Sequence, residues 1–143
     1  MIVLDTNVLS ELMKRRGSQF VRNWAAQQPV MSLFTTTITQ AEILYGIAIL
    51  PQGKRRDELT QAAYLMFAED FSSRVLPFDE AAAVAFASIA AQRRANGNPI
   101  SQADAQIAAI CSSRQATIAT RNVSDFAGCG ISIINPWYPH SAD

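Results

Sequence analysis

A short apolar run that ends abruptly in polar residues opens the sequence and limits the folds that it can adopt. Ile2–Leu4 is followed at once by Asp5, Thr6 and Asn7. A continuous apolar run rich in β-branched residues predicts a strand buried on both faces, as in a parallel sheet. Apolar residues then recur at helical spacing over residues 8–13. We therefore expect Asp5 at the carboxyl end of a strand, where open α/β sheets bind their ligands.

Further short apolar segments alternate with helical patterns along the chain. We predict strands at residues 33–37, 75–76, 117–119 and 131–134. The predicted helices between them include a long one over residues 54–72, an alanine-rich one over residues 79–95 and one over residues 101–115. This alternation predicts a three-layer α/β sandwich with a central, mainly parallel sheet. Because the chain has 143 residues and no low-complexity linker, we expect a single domain over residues 1–143.

Acidic residues lie at several points where a predicted strand or loop gives way to a helix. They are Asp5, Glu42, Asp104 and Asp125. Thr39 with Glu42 fits a capping box, in which an acid folds back to the N–H of the helix cap. Ser101 with Asp104 fits the same motif, and Asp125 alone would be a surface loop acid. Asp5 is the hardest to explain structurally, because an acid that ends a buried strand is poorly solvated without a partner.

Taken together, these acids predict a metal site. In a parallel sheet the strand ends that lead into helices share one edge, so the acids should converge there. Clustered carboxylates raise each other's pKa unless a cation neutralises them, and Mg²⁺ prefers such oxygen ligands. The only histidine, His140, lies in the C-terminal segment, which argues against a zinc site built on imidazole. A divalent cation held by carboxylates suits the hydrolysis of phosphodiester bonds.

Composition supplies no independent argument for a nucleic-acid partner, because 12 basic and 12 acidic residues give a net charge of zero. Basic clusters at residues 14–16, 54–56 and 93–94 are candidates for contact with an RNA backbone. Solvated helix ends explain these clusters equally well, since cations are favoured near helix C-termini.

Cysteine usage and the lack of targeting signals indicate a cytoplasmic protein. Cys111 and Cys129 show no metal-type spacing, so we expect two reduced thiols in or near the core. The N-terminus lacks the basic lead of a signal peptide. The longest apolar run, residues 81–87, is far shorter than the roughly 18 residues that a membrane span needs. We expect no membrane partner.

The residues quoted above resemble the PIN domain family, specifically its VapC/FitB-type toxin ribonucleases of type II toxin–antitoxin systems. The resemblance extends along nearly the whole chain and follows the family's order. The segments that carry it are Leu4-Asp5-Thr6-Asn7, Glu42 after Thr37-Ile38-Thr39, Asp104-Ala105, Thr120-Arg121-Asn122-Val123-Ser124-Asp125-Phe126 and Ile134-Asn135-Pro136-Trp137.

This resemblance implies a PIN-like fold and an endoribonuclease that depends on Mg²⁺ or Mn²⁺. The expected catalytic and metal-binding residues are Asp5, Glu42, Asp104 and Asp125, and the expected supporting residues are Thr6, Asn7, Thr120 and Asn122. The resemblance also implies an RNA substrate and a cognate antitoxin as inhibitor. A homodimer is expected, with larger toxin–antitoxin assemblies that contact DNA only through the antitoxin.

Two other functions fit parts of the same pattern. A strand-end aspartate can act as a nucleophile in phosphoryl transfer, as in receiver domains or haloacid dehalogenase-like phosphatases. Those phosphatases have a second aspartate two residues after the first, where this chain has Asn7, and receivers have a lysine after a late strand. The other alternative is a catalytically silent RNA-binding PIN scaffold. The intact set of four acids argues against that scaffold. A metal-binding titration would distinguish the silent scaffold from a metal-dependent ribonuclease.

Overall fold

A parallel sheet of five strands forms the centre of the fold in this computed structural model, which describes residues 1–138. The strands are β1 (Ile2–Leu4), β2 (Leu33–Thr36), β3 (Val75–Leu76), β4 (Thr117–Ala119) and β5 (Ile133–Ile134). Their order across the sheet is β3-β2-β1-β4-β5, and every pairing is parallel. β1 therefore lies in the middle of the sheet, which agrees with its uninterrupted apolar run.

Helices connect the strands and cover both faces of the sheet. They are α1 (Thr6–Met13), α2 (Gln19–Ala26), α3 (Thr37–Ala48), α4 (Lys54–Leu65), α5 (Glu80–Ala95), α6 (Gln102–Ser113) and the single turn α7 (Val123–Phe126). Residues of α1 to α4 pack in the apolar cluster on one face, and residues of α5, α6 and α7 pack in the cluster on the other. This arrangement confirms the predicted three-layer α/β sandwich.

The alternation of side chains along β1 explains how one short strand anchors both clusters. Val3 lies in the cluster with Ile107 of α6, whereas Leu4 lies in the cluster with Val8 and Ile43 of the opposite face. Val3, Leu4, Val8 and Ile107 have no exposed surface, as expected for a strand covered on both sides. The core therefore holds rigidly the strand that leads directly into Asp5.

The helix caps correct one sequence prediction. α3 begins at Thr37 and its N-cap is Thr36, whose hydroxyl accepts a hydrogen bond from the Thr39 N–H at 3.0 Å. The predicted capping box of Thr39 with Glu42 is therefore wrong, because Thr39 already lies inside the helix. Ser101 does cap α6, and its hydroxyl accepts from the Asp104 N–H at 3.2 Å.

Two other segments differ from the predicted bounds. The predicted helix over residues 54–72 ends as an α-helix at Leu65 and continues as a π-helical turn over Met66–Asp70. The buried guanidinium of Arg74 binds the backbone carbonyl of Asp70 and that of Leu33, which ties this turn to β2. β5 begins at Ile133 rather than at residue 131.

Both cysteines are free and buried, as predicted. Within residues 1–138, none of the helices combines the length and the hydropathy that a membrane span requires. The predicted feature at His140 lies outside the described residues.

Candidate metal centre

Asp5 lies at the carboxyl end of the central strand and is 4% exposed. Its backbone N–H donates to the carbonyl of Ala119 in β4 at 2.9 Å, so the ends of β1 and β4 lie side by side. The same residue is the N-cap of α1, and its Oδ1 accepts from the Thr6 N–H at 2.8 Å. Asp5 therefore lies where the strand gives way to the helix, as the sequence predicts.

Neutral donors hold the Asp5 carboxylate in place. The hydroxyl of Thr120, which directly follows β4, donates to Asp5 Oδ2 at 2.8 Å. The Asn7 amide donates to the same oxygen at 3.2 Å and also lies 3.3 Å from the Thr120 hydroxyl oxygen. Together with the Thr6 N–H, these groups fix the orientation of the carboxylate without a counter-charge.

A further layer of hydrogen bonds positions these donors. The Asn7 side-chain oxygen accepts from the Arg121 N–H at 3.1 Å. The Thr120 hydroxyl oxygen accepts from the Asn122 N–H at 3.0 Å. Asn122, predicted as a supporting residue, therefore contacts the site through its backbone. The segment after β4 and the start of α1 are tied together around Asp5.

Glu42 reaches the same edge of the sheet from α3. The Thr6 hydroxyl donates to Glu42 Oε1 at 2.6 Å and lies 3.1 Å from the hydroxyl of buried Thr39. Thr6 thus links the Asp5 segment to Glu42, because its backbone N–H contacts one acid and its hydroxyl the other. Glu42 itself is exposed, so its carboxylate is accessible to a ligand.

Asp104 and Asp125 approach from the other side of β1. Asp104 is half-buried in the first turn of α6, and Asp125 is exposed in α7. Both segments pack on the same apolar cluster, which includes Ile107 of α6 and Phe126 of α7. Ala105, the neighbour of Asp104, is also buried. The structure thus places Asp104 on a firmly packed helix and Asp125 on a short surface turn.

The pKa values of Asp5 and Asp104 are raised, in part by the charges of the other acids. Burial is the main cause that raises the pKa of Asp5 from 3.8 to about 6, against the lowering effect of its hydrogen bonds from Thr120 and Thr6. The charges of Asp104 and Glu42 raise it further. Burial likewise raises the pKa of Asp104, and the charges of Asp125 and Glu42 add to the effect. The predicted acids are therefore electrostatically coupled.

This donor set has the chemistry of a site for a hard divalent cation. In the described part of the chain, salt bridges join Glu11 to Lys14 and Asp79 to Arg114, and neither involves the candidate acids. Burial, with a smaller effect of the Asp5 charge, raises the pKa of Cys111 to about 12, so that thiol stays neutral. The donors are therefore oxygens, which Mg²⁺ and Mn²⁺ prefer.

The acids are not gathered into a finished ligand cage. Over residues 1–138, no three acidic, histidine or cysteine side chains are close enough to one another to hold a metal ion between them. Mg²⁺ typically takes only one or two protein carboxylates directly and keeps several waters. Such a cation fits a site with one fixed carboxylate, Asp5, surrounded by carboxylates on more exposed positions.

A cleft opens beside the acids between α1, α3 and α4. It has a volume of about 960 Å³. Thr6 and Glu42 form one end of its wall, and the apolar part includes Ile43, Ile47 and Leu59. The cations Lys14, Arg15 and Arg55 also line it. We call this cleft the α1–α3–α4 groove.

The structure also revises the predicted basic clusters. Arg93 is only 5% exposed, and its guanidinium donates to backbone carbonyls, so it does not present its charge to an RNA backbone. Lys14 forms a salt bridge with Glu11 at 3.0 Å. Arg15, Arg16, Lys54, Arg55 and Arg94 are exposed. The sequence offered no signal for the burial of Arg93, because its partners lie in distant segments.

The sequence is similar to a known protein family and to named proteins. The model of the PIN domain family matches residues 2–127. The VapC ribonuclease Y4jK of Sinorhizobium fredii is 40% identical over 139 residues, which cover 97% of this chain and 99% of that protein. Toxin FitB of Neisseria gonorrhoeae is 33% identical over 138 residues, which cover 96% and 99%.

A solved structure shows the same fold. The structure of FitAB bound to an IR36 DNA fragment contains a chain that superposes with a TM-score of 0.93 at 32% identity, over 100% of both chains. The family match covers most of the sequence, and the relatives align over nearly their full length. The chain therefore belongs to the PIN domain family.

Proposed function

We propose that this chain is an endoribonuclease that acts as the toxin of a toxin–antitoxin pair. The observation that carries the proposal is a buried, hydrogen-bonded Asp5 at the centre of a sheet edge, with Glu42 and Asp104 close enough to raise its pKa. Relatives named VapC ribonuclease and toxin FitB support the reaction and the biological role. Because the chain belongs to the PIN domain family, it is neither a receiver domain nor a haloacid dehalogenase-like phosphatase.

Asp5, Glu42, Asp104 and Asp125 would hold Mg²⁺ or Mn²⁺ in this proposal. A bound cation supplies an activated water and compensates the negative charge of the phosphate. Thr120, Asn7 and the Thr6 N–H keep the Asp5 carboxylate in one orientation. Because Thr6 also binds Glu42, it keeps that carboxylate near Asp5 rather than in open solvent.

Exposed cations beside the site are suited to the RNA backbone. Arg121 directly follows Thr120, and its guanidinium lies over the Trp137 ring, 5.0 Å from the ring centroid. Arg15 and Arg55 line the α1–α3–α4 groove, which begins at the acidic site. These positive charges offset the repulsion between the acids and an approaching phosphate, and they make RNA affinity dependent on salt.

The α1–α3–α4 groove is the proposed site of the antitoxin. Its apolar wall fits the apolar face of a helix, and Glu42 at one end fits a cationic side chain of the same helix. An antitoxin bound in this way would both cover the entrance and neutralise an acid. The FitAB structure, which contains DNA, supports a complex that contacts DNA through the antitoxin. We also propose that the toxin is a homodimer.

Cleavage of RNA by the purified protein tests this function. Wild type should cleave RNA with Mg²⁺ or Mn²⁺ and lose cleavage in excess EDTA. Asp5→Asn and Asp104→Asn should abolish cleavage while preserving the circular dichroism spectrum. The matched control is Glu80→Gln, which removes an exposed acid from the first turn of α5 and should cleave like wild type. Full activity in Asp5→Asn would remove Asp5 from the mechanism.

A further inference from the structure

A buried arginine lies beneath the segment that carries Asp125. Arg93, in the last turn of α5, is 5% exposed. Its Nη1 donates to the backbone carbonyl of Asp125 at 2.9 Å and to that of Ala127 at 3.0 Å. Its Nε donates to the carbonyl of Asn98 at 2.8 Å, and its Nη1 also lies 3.5 Å from Cys129 Sγ. One guanidinium therefore joins the end of α5 to the segment after β4.

Arg93 supplies hydrogen-bond donors for carbonyl groups at the C-terminal end of α7. A helix of a single turn leaves its C-terminal carbonyls without intrahelical partners, and a cation there is favourable. The chain then bends around Arg93 through Gly128, which has a φ of +78°. A Cβ added at Gly128 would lie 3.9 Å from Arg93 Cδ. Within α7, only Phe126 is buried, so Arg93 is a major restraint on the backbone of Asp125.

We propose that Arg93 is a positioning residue that holds the backbone of Asp125 so that its carboxylate faces the other acids. This inference rests on the proposed metal site. Arg93 contacts carbonyls rather than the Asp125 carboxylate, so it orients that acid without forming a salt bridge with it. Lysine cannot replace it, because an ammonium lacks the planar set of donors that spans Asn98, Asp125 and Ala127.

The test compares substitutions that keep the charge. Arg93→Lys should weaken Mn²⁺ binding about 10- to 100-fold, as is typical when an outer partner of a metal ligand is lost. The affinity is measured from the rise in melting temperature with Mn²⁺ concentration, which does not require RNA cleavage. Arg94→Lys is the matched control, because Arg94 is the exposed neighbour on the same helix, and its Mn²⁺ affinity should equal that of wild type.

A double mutant separates positioning from general stabilisation. If Arg93 acts through Asp125, then Asp125→Asn should weaken Mn²⁺ binding by a similar factor, and the double variant should show no further loss. If the two losses of Mn²⁺ affinity multiply in the double variant, the inference is wrong. So would an Arg93→Lys protein that is less stable but binds Mn²⁺ like wild type, or an Asp125→Asn protein with unchanged affinity.

Two further comparisons keep the outcome interpretable. If Arg93→Lys does not fold, Asp125→Asn still tests the inference, because unchanged Mn²⁺ affinity in that variant would overturn it. Absence of any Mn²⁺ effect on wild type would overturn the proposed metal site as well. A wild-type response that is lost in Asp5→Asn but retained in Arg93→Lys would overturn the role of Arg93 alone.

Discussion

Replacing Asp5 by asparagine should stabilise the metal-free protein at neutral pH, even though Asp5 has several hydrogen-bond partners. Burial raises the pKa of Asp5 from 3.8 to about 6, so the folded state disfavours the charged form. Each pKa unit corresponds to about 1.4 kcal/mol, and the difference is therefore about 3 kcal/mol of unfolding free energy. Asparagine removes this charge while keeping the shape of the side chain.

The gain is reduced by lost hydrogen bonds. Asp5 Oδ2 accepts from both Thr120 and Asn7, and Oδ1 accepts from the Thr6 N–H. Asparagine has one acceptor oxygen, so at least one of these donors loses its partner, at a cost of about 1 kcal/mol or somewhat more. We therefore expect Asp5→Asn to be more stable than wild type by about 1–2 kcal/mol in EDTA at about pH 7.5.

The advantage should depend on pH in a defined direction. Because the pKa of Asp5 is higher in the folded state, the folded protein binds its proton more tightly between about pH 6 and pH 4. The wild-type contribution of Asp5 to stability therefore increases as the pH falls through this range, and Asp5→Asn lacks it. The charges of Asp104 and Glu42 contribute to this difference, because they act on the charge of Asp5 in wild type and that charge is absent in Asp5→Asn.

Urea unfolding in EDTA at several pH values measures this difference. The control is Asp79→Asn, which changes the exposed N-cap of α5, where asparagine caps as well as aspartate does. The substitution also removes the salt bridge to Arg114, but both side chains are exposed and such pairs contribute at most about 1 kcal/mol. Its stability should change little at any pH. A loss of stability in Asp5→Asn at neutral pH, or a difference that does not vary between neutral pH and about pH 4, would refute the reasoning and favour a purely capping role.

Two other substitutions test the hydroxyl support and the groove. Thr120→Val should lower the unfolding free energy by about 1–3 kcal/mol, because the Asn122 N–H loses its acceptor and Asp5 loses a donor. Thr120→Ser should restore most of it, and equal stability of valine and wild type in urea would contradict the prediction. Gly46→Phe should prevent antitoxin binding in a pull-down while the protein stays folded, since Gly46 lines the α1–α3–α4 groove and a Cβ added there has no atom within 4 Å. Binding at wild-type affinity would place the antitoxin elsewhere.

The strands and the acidic positions could be predicted because their signals are local. An apolar run that ends at Asp5 identifies both a strand and its functional end, whatever the rest of the chain does. The N-cap of α3 could not be located in the same way, since Thr35, Thr36, Thr37 and Thr39 are all possible caps. The choice depends on where β2 ends, and β2 ends where Thr36 pairs with Leu76 of β3.

The role of Arg93 could not be predicted because it depends on the tertiary fold. Its carbonyl acceptors Asp125, in α7, and Ala127, the C-cap of α7, lie 32 and 34 residues away, and backbone carbonyls are present at every position of the sequence. In the sequence alone, a solvated charged residue near a helix C-terminus therefore cannot be distinguished from a buried one. Only the packing of α5 against α6 and α7 decides between the two.

A comparison of Glu11 with Asp5 shows why uncharged hydrogen-bond donors suit a carboxylate that binds a metal. Glu11 in α1 forms hydrogen bonds with Lys14 and with the Ser18 N–H, and these bonds lower its pKa. Its charge is already compensated, which stabilises the charged form but leaves little attraction for a cation. Asp5 is held instead by a hydroxyl, an amide and a backbone N–H, and its pKa is raised.

This contrast has a thermodynamic consequence for binding. A lysine or arginine paired with Asp5 would stabilise the metal-free fold, but a divalent cation would then have to displace it. Neutral donors fix the geometry and leave the negative charge uncompensated, so the free energy lost in the metal-free fold is recovered when a cation binds. Stability without metal and affinity for metal should therefore change in opposite directions when the charge of Asp5 is altered.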